Sequence, residues 1–558
     1  MPSIFSRLDF IFALALAGLL LTAYLFPELG AHICCRIESR GSRFAQRKGL
    51  AIFFVVLAVL LTRIALLPIL PIPVPAVSDE FSYLLASDTF AHGHLANPPH
   101  PMRMFFENAH VNQVPAYMSK YPPAQGAFLA LGQLCGHPWI GVLLSVALMC
   151  GSILWMLQGW MPSRWAFLGT LLLFLHLGLF SYWMNSYWGG AVAALGGALV
   201  VGAIPRILRY QKPQYALLFA LGAAILANSR PLEGFLLCAT SVLFLSVALF
   251  RRGTPDWHST LRSVVLPISA VAALTVAFLG YYNWRGTGDP LLFPYTLNDR
   301  TYLSTPPFVW QSLEPPRHYT APQLDAVYNL WARPFWTRTR FAFHLRTVKF
   351  LYFFLWPDLC LLLLALPCFL RQRKYRFLLI QFLFCFAGTL MVVWYQPHYS
   401  APLTATVTAI LAVAIRHLRH WKFRDRPVGL SLTRGLVLYS LALNLFYYAE
   451  AWHNPHTGSL VAPAGVWGSS GNWRRAQINS NLQAHPGRHL VIVRFSNAAG
   501  SLSGNWISNA ADIDGAPVVW AMEIPGVDIQ PLLDYFRGRQ VWLLEPSAEA
   551  EVRITPYR

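Results

Sequence analysis

Apolar segments long enough to cross a membrane recur along most of this chain, and they leave few architectures open to it. Of its 558 residues, 55% are hydrophobic and only 12% are charged, whereas soluble domains carry about 25% charged residues. A helix needs about 20 apolar residues to cross a hydrocarbon core of ~30 Å. The sequence therefore predicts a mainly α protein, a polytopic bundle of transmembrane helices.

About twelve spans are predicted from the apolar runs. The first run has no basic N-terminal region beyond Arg7 and no clear small-residue cleavage site, so we interpret it as a retained helix rather than a signal peptide. The predicted spans are residues 8–27, 49–71, 139–158, 165–182, 189–205, 214–229, 232–249, 263–282, 347–370, 377–394, 402–417 and 434–450.

The basic residues predict the orientation of these spans. About half of the 43 Lys and Arg residues fall in alternate connections, for example residues 36–48, 206–212, 371–376 and 416–434, and short loops rich in Lys and Arg stay cytoplasmic. The net charge of +19 is then a topology signal that also suits membrane lipids as partners, and it calls for no nucleic acid. The same rule places residues 72–138, 283–346 and 451–558 outside.

Three regions follow from this pattern. Residues 1–48 form an N-terminal span with a basic cytoplasmic loop, residues 49–450 form the main membrane body with its two large outer loops, and residues 451–558 form a small α/β domain outside. Short β-branched runs bounded by turn residues predict its strands, and the intervening helix suggests a βαβ crossover. The predicted elements of this domain are strands 489–495, 516–522 and 540–545 and a helix at 529–536.

Two adjacent carboxylates, Asp79 and Glu80, follow the second span directly. In an acid-poor chain, a carboxylate at the membrane boundary suits a general base that acts on a lipid-borne substrate. The alternative is that the pair starts a helix over residues 79–92, because acidic side chains favour the N-terminal end of the helix dipole. The sequence alone leaves both interpretations open.

Basic side chains stand at other predicted outer ends of spans. Lys120 precedes Tyr121 and two prolines, Arg230 lies beside Pro231, and His398 follows Pro397. Cations at this depth suit a lipid phosphate. Lys120 and Arg230 could instead extend to the interface as ordinary anchoring residues, Arg230 could pair with Glu233, and His398 could be a structural histidine.

These residues resemble the GT-C membrane glycosyltransferases, and within them the branch of family 39 that contains the protein O-mannosyltransferases and the bacterial aminoarabinose transferases. The resemblance rests on the acidic pair in the first outer loop, on Gly93 followed by a Pro-rich turn through Pro101, on the Lys120–Pro123 motif, and on a many-helix body with a C-terminal outer domain. It covers residues 50–420.

The resemblance implies an inverting transfer from a polyprenyl-phosphate sugar at the outer face of a bacterial inner membrane. It gives Asp79 the role of base, with Glu80 assisting it or holding the acceptor. It implies that Lys120 contacts the lipid phosphate, with Arg230 and His398 assigned to the same phosphate by location. Tyr121, His100 and Glu107 are the substrate-binding candidates, and Glu107 is the one candidate for a second acid in that loop.

This chain departs from the family in its additional N-terminal span and in lacking the separate sugar-binding domain of the protein O-mannosyltransferases. The acceptor is a glycan, a lipid or a protein, and no metal or cofactor is predicted, since a divalent cation has no support in the sequence. Two alternatives stay open. One is a polysaccharide ligase or polymerase that uses a lipid diphosphate, and the other is a flippase or transporter of lipid-linked sugars. The candidate residues of the ligase are Arg333, Arg338, Arg340 and His344.

Overall fold

The structure is a computed structural model that describes residues 7–251, 257–355, 372–453, 471–495, 505–546 and 554–557. Helices predominate in the first three ranges, and a small, mostly parallel sheet forms near the C-terminus. This arrangement confirms the predicted fold class, a mainly α polytopic protein with a small C-terminal α/β domain.

The helices are α1 (Arg7–Leu25), α2 (Ala31–Gln46), α3 (Lys48–Ala65), α4 (Ser78–Ala91), α5 (Pro123–Leu134), α6 (Pro138–Trp160), α7 (Ser163–Leu173), α8 (Ala191–Tyr210), α9 (Pro213–Ala227), α10 (Pro231–Phe250), α11 (Trp257–Thr260), α12 (Leu266–Thr287), α13 (Pro294–Tyr302), α14 (Pro322–Asp325), α15 (Arg333–Thr339), α16 (Phe343–Phe354), α17 (Arg373–Leu390), α18 (Thr404–Leu418), α19 (Val428–His453), α20 (Trp473–Ala484) and α21 (Gln530–Tyr535). The strands are β1 (Val111–Asn112), β2 (Met118–Ser119), β3 (His489–Val493), β4 (Val518–Met522), β5 (Gln540–Leu544) and β6 (Ile554–Pro556).

Within the described residues, seven helical segments are long and apolar enough to cross a membrane, and three shorter apolar helices accompany them. The predicted span at 377–394 corresponds to α17, and that at 347–370 begins in α16 and then leaves the described residues. The seven segments are Lys48–Ala65, Pro138–Trp160, Ala191–Tyr210, Pro231–Phe250, Trp257–Thr287, Pro397–Leu418 and Val428–Phe446.

The centre of the bundle is formed by α6, α8 and α18, whose side chains are mostly buried. Helix α8 is rich in Gly and Ala, which lets neighbouring backbones come close. At Gly197 a Cβ atom would stand 2.1 Å from the carbonyl oxygen of Pro402. The absence of a side chain there therefore sets how closely α8 packs on the segment that precedes α18.

One buried arginine fixes the chain where it leaves the second predicted span. Arg63, fully buried near the end of α3, donates to the carbonyl oxygens of Leu70 (2.8 Å) and Pro71 (3.3 Å) and to Asn185 Oδ1 (3.1 Å). The exit contains prolines at 71, 73 and 75, which lack an amide hydrogen and leave backbone carbonyls to be paired. Arg63 supplies those donors and so positions the approach to Asp79.

The C-terminal sheet has the strand order β4-β3-β5-β6. Strand β3 pairs in parallel with β4 and with β5, and β6 closes the edge antiparallel to β5. Helix α21 connects β4 to β5, so the predicted crossover is confirmed, and it passes over β3. Every residue of β3, a central strand, and of β4, an edge strand, is buried, as expected of parallel strands covered on both faces.

This domain packs directly on the two large loops of the membrane body. One buried cluster joins Leu85 and Phe105 of the first loop and Tyr302 of the second to Leu490 and Trp520 of the sheet. These contacts place the C-terminal domain on the same face of the molecule as Asp79, which begins the helix that carries Leu85.

Candidate active site

The acidic pair lies in the first turn of α4, and its two members have different surroundings. Glu80 is 1% exposed. Its carboxylate accepts hydrogen bonds from the backbone N–H groups of Ala76 (2.8 Å), Val77 (3.2 Å) and Tyr187 (3.1 Å). Burial raises the pKa of Glu80 to about 7, against the opposing effect of these three donors. Both oxygens of Glu80 therefore accept hydrogen bonds from the backbone.

The Asp79 carboxylate is partly open, with 25% of its side chain exposed. The Tyr121 hydroxyl donates to its Oδ1, and Nε2 of His110 lies 3.7 Å from its Oδ2. The ring of Tyr121 stacks on that of Tyr83 with centroids 4.4 Å apart, which limits its movement. Asp79 is thus held through Oδ1 and remains accessible, as a general base requires.

His110 occupies an unusual backbone position beside this carboxylate. Its φ of 67° lies in the left-handed region, which few residues other than glycine adopt and which is common at functional sites. Its carbonyl oxygen accepts from Ser82 Oγ (2.7 Å) and from the Lys120 N–H (3.2 Å), which fixes the turn. Burial, and then the charge of Lys120, lowers the pKa of His110 to about 4, so the ring is neutral at neutral pH.

Lys120 is 3% exposed and is paired inside the protein. Its Nζ lies 3.5 Å from Asp299 Oδ1, and it stands over the ring of Tyr295 at 4.5 Å from the centroid. Burial raises the pKa of Asp299, while Lys120 acts in the opposite direction. Lys120, which was predicted to contact the lipid phosphate, is therefore already paired with a carboxylate of the second loop, that of Asp299 on α13.

A cavity of about 530 Å³ lies next to these groups. Its polar lining includes Tyr121, Arg230, Asp299 and Tyr399, and the Arg230 guanidinium lies 4.5 Å from the centroid of the Tyr399 ring. Its apolar lining includes Leu232, Phe293, Pro306, Phe308 and Val392. A cavity lined by cationic, hydroxyl and apolar groups can hold a phosphate joined to a lipid.

Three predicted site residues lie elsewhere. His398 is buried, with Nδ1 2.8 Å from the Tyr182 hydroxyl oxygen, and is absent from the described lining of the cavity, which includes its neighbour Tyr399. His100 lies with Nε2 3.0 Å from Asp514 Oδ1, and so belongs to the contact with the C-terminal domain. Glu107 is half-buried, with its pKa raised by burial, and is also outside that lining.

The structure brings Asp79, Lys120, Tyr121 and Arg230 into one region, and sequence reasoning missed their partners there. Asp299 had a usable signal, because few acids occur in the second loop of this chain. His110, Tyr295 and Tyr399 had none, since their types are common in the chain and their segments meet only in three dimensions. Within the described residues, no group of three or more His, Cys, Asp or Glu side chains could hold a metal ion.

Comparisons with known proteins gave matches among solved structures alone. No family model matches the chain, and no curated protein matches it. The crystal structure of apo ArnT from Cupriavidus metallidurans is similar over 88% of this chain and 92% of its own, at 13% identity and a TM-score of 0.48.

The same ArnT bound to undecaprenyl phosphate matches over the same shares, at 13% identity and a TM-score of 0.47. An oligosaccharyltransferase from Archaeoglobus fulgidus, in complex with Zn and sulfate, matches over 89% of this chain and 67% of its own, at 12% identity and a TM-score of 0.47. At this level of similarity, neither protein assigns a role to any residue of this chain.

Proposed function

We propose that this chain is a membrane glycosyltransferase of the GT-C kind that moves a sugar from a polyprenyl-phosphate donor to an acceptor hydroxyl. The observation that carries the proposal is the position of Asp79, which is accessible, held at Oδ1 by the Tyr121 hydroxyl, and linked through Tyr121 to a cavity that offers a guanidinium and apolar side chains. We place the reaction at the outer face of a bacterial inner membrane, from the distribution of basic loops.

In the proposed reaction, the acceptor hydroxyl gives its proton to Asp79 as its oxygen attacks the anomeric carbon of the donor sugar. The bond from that carbon to the phosphate oxygen breaks, and polyprenyl phosphate leaves with the electron pair. A single displacement inverts the configuration at the sugar. Tyr121 and His110 orient the carboxylate, so that its lone pairs face the incoming hydroxyl.

The leaving phosphate needs a cation. Arg230, Arg300 and Arg317 all line the cavity, and Arg230 is the first candidate because its guanidinium lies over the ring of Tyr399. Lys120 can assist only by exchanging or sharing Asp299, to which it is paired in this structure. In this proposal Glu80 acts on the loop rather than on the acceptor, through its three backbone hydrogen bonds.

The two alternatives have less support in the structure. The cations proposed for a ligase on a lipid diphosphate are absent from the described lining of the cavity. Arg333 instead binds Ser304 Oγ and Arg340 binds the Val309 carbonyl oxygen. A transporter would use a charge inside a span. The candidate for such a charge, Arg63, already donates to two backbone carbonyl oxygens and to Asn185.

Asp79→Asn tests the proposal in the purified full chain. The substitution keeps the size of the side chain and removes its basicity, so transfer from a polyprenyl-phosphate sugar should fall by about 10²–10⁴-fold. Asp528→Asn, at an exposed position of the C-terminal domain, is the matched control and should transfer like the parent. Near-parental transfer by a folded Asp79→Asn protein would refute the assignment of the base.

A further inference from the structure

A second cavity, of about 190 Å³, lies between the first loop and the C-terminal domain. One of its walls is a face of α20 together with the residue that caps it, because the lining positions recur at spacings of three and four residues. Most of these side chains are polar. They are Asn472, Arg475, Ala476, Asn479, Ser480 and Gln483.

The opposite wall comes from the segment that carries Asp79. Val74 and Pro75 precede the acidic pair and Phe81 follows it. The Asn472 N–H donates to the Pro75 carbonyl oxygen (3.1 Å), which joins the two walls at one end. The small cavity shares none of its described lining with the 530 Å³ cavity, although Tyr83 of the same helix lines the latter.

Arg475 is held rigidly in this wall. Its Nε donates to the Trp506 carbonyl oxygen (2.9 Å) and its Nη2 to that of Ser508 (2.7 Å). Its guanidinium lies between two aromatic rings, 5.0 Å from the centroid of Phe81 and 4.7 Å from that of Trp520. A charged group with this support is positioned before any ligand arrives, which lowers the cost of binding.

Several polar atoms of the lining have no hydrogen bond recorded within the described part of the chain. The Asn479 side chain accepts at Oδ1 from Trp520 Nε1 (3.2 Å), and its amide nitrogen is left without a hydrogen bond there. The other such groups are Nη1 of Arg475, the Ser480 hydroxyl and the Gln483 amide. Together they offer both donors and acceptors, and the described lining contains no carboxylate.

We propose that this cavity binds one sugar residue of an extended, uncharged glycan, which is the acceptor. The inference rests on the proposed function and names its acceptor class. Amides, a hydroxyl and a fixed guanidinium match the alternating donors and acceptors of a polyhydroxyl ring. The wall that contains Pro75 and Phe81 suits the apolar face of that ring. The single cation is already shared with two carbonyl oxygens, so nothing in the lining demands an anion.

The position of the cavity indicates that the acceptor is longer than one sugar. Residues 79 and 81 are two apart on α4 and therefore point to different sides of the helix, so a sugar against Phe81 is not the one that meets Asp79. The docked residue is a remote anchor, and its binding energy can support the reaction at the other end of the glycan.

Binding of fluorescently labelled neutral oligosaccharides tests this inference on the purified full chain. The probes are six-unit hexose and N-acetylhexosamine oligomers. At least one should bind the parent, and Ser480→Trp, which fills the cavity from an exposed position, should weaken that binding at least tenfold. Gln483→Leu should weaken it several-fold. The matched controls on the same helix, Asn481→Trp and Gln477→Leu, are exposed outside the described lining and should bind like the parent.

Absence of binding to the parent by every probe would overturn the inference, and so would parental affinity in Ser480→Trp. The assay needs no turnover, so its outcome does not depend on the activity of Asp79→Asn. If a probe binds as expected and Asp79→Asn transfers sugar normally, the proposed function fails while the glycan site stands. If Asp79→Asn is inactive and no probe binds the parent, the glycan site fails while the proposed function stands.

Discussion

At Asp79, each carboxylate oxygen has its own neighbour, a tyrosine hydroxyl on Oδ1 and a histidine nitrogen 3.7 Å from Oδ2. One residue later in the chain, Glu80 is enclosed and binds three backbone N–H groups. A pair that looks uniform in sequence therefore separates into an accessible carboxylate and a structural one. The hydrogen bonds of Glu80 fit the helix-start interpretation, and the general-base interpretation belongs to our proposal for Asp79.

His110 should make stability depend on pH. Its pKa is about 4 in the folded chain against an ordinary value of 6.5, so between these pH values the unfolded state binds a proton that the folded state does not. Stability is therefore lost as pH falls through this window. We expect His110→Gln to reduce the loss between pH 7 and pH 4.5 by about 1–3 kcal/mol, measured as the shift of the thermal midpoint relative to the parent.

The control for this measurement is His94→Gln, at an exposed position just after α4. It should keep the parental pH dependence. An unchanged pH dependence in His110→Gln would show that the pKa of His110 is the same in the folded and the unfolded chain.

Kinetic measurements can distinguish a donor-binding role of the Lys120–Asp299 pair from a purely structural one. If donor phosphate takes Lys120 from Asp299, then Asp299→Asn should lower the KM for the donor several-fold, because the ammonium is released from its partner. Lys120→Met should raise that KM by about 10–100-fold, since a charge-assisted contact contributes about 1.5–3 kcal/mol. Lys422→Met, at an exposed position, is the control. An increase in KM from both variants would instead make the pair a brace between the two loops.

At the scale of elements, helix α4 depends on Glu80. Glu80→Gln keeps the shape of the side chain, but its NH₂ group faces backbone donors where an oxygen accepted before. We expect a loss of about 1–3 kcal/mol and a thermal midpoint several degrees lower. Asp79→Asn should leave that midpoint nearly unchanged. The exposed Glu28→Gln is the control, and equal midpoints for Glu80→Gln and the parent would show that the three hydrogen bonds are dispensable.

Helices and strands were the most predictable level of this chain. Apolar runs locate membrane helices because lipid forces backbone hydrogen bonds to form within each segment, and the three parallel strands of the C-terminal sheet were recognisable as β-branched runs. Helix α5 was missed, because its apolar sequence lies in a segment predicted as an outer loop. The site was harder, because Asp79, His110, Asp299 and Tyr399 come from segments far apart in sequence, and their meeting depends on packing that local patterns do not encode.

At the scale of the whole molecule, the C-terminal domain and the first loop form one face. Asp88 Oδ2 accepts from the Ala511 N–H (2.7 Å), the Tyr117 hydroxyl donates to the Asn509 carbonyl oxygen (3.2 Å), and His100 pairs with Asp514. These contacts join segments about 400 residues apart, and they place both parts on one side of any membrane that the bundle crosses. The candidate active site and the C-terminal domain must therefore face the same side of the membrane.

Single cysteines identify that side in a chain whose native cysteines have been replaced. Arg537→Cys lies at an exposed position of the C-terminal domain and His94→Cys at one of the first loop. Because the two parts are in contact, we expect an impermeant thiol reagent to label both in intact spheroplasts, as the basic loops predict for an outer face. Labelling of both only after membrane disruption would place Asp79 in the cytoplasm and contradict a donor used at the outer face. Labelling of one without the other would contradict the packing of the C-terminal domain on the first loop, and with it the shared wall of the glycan cavity.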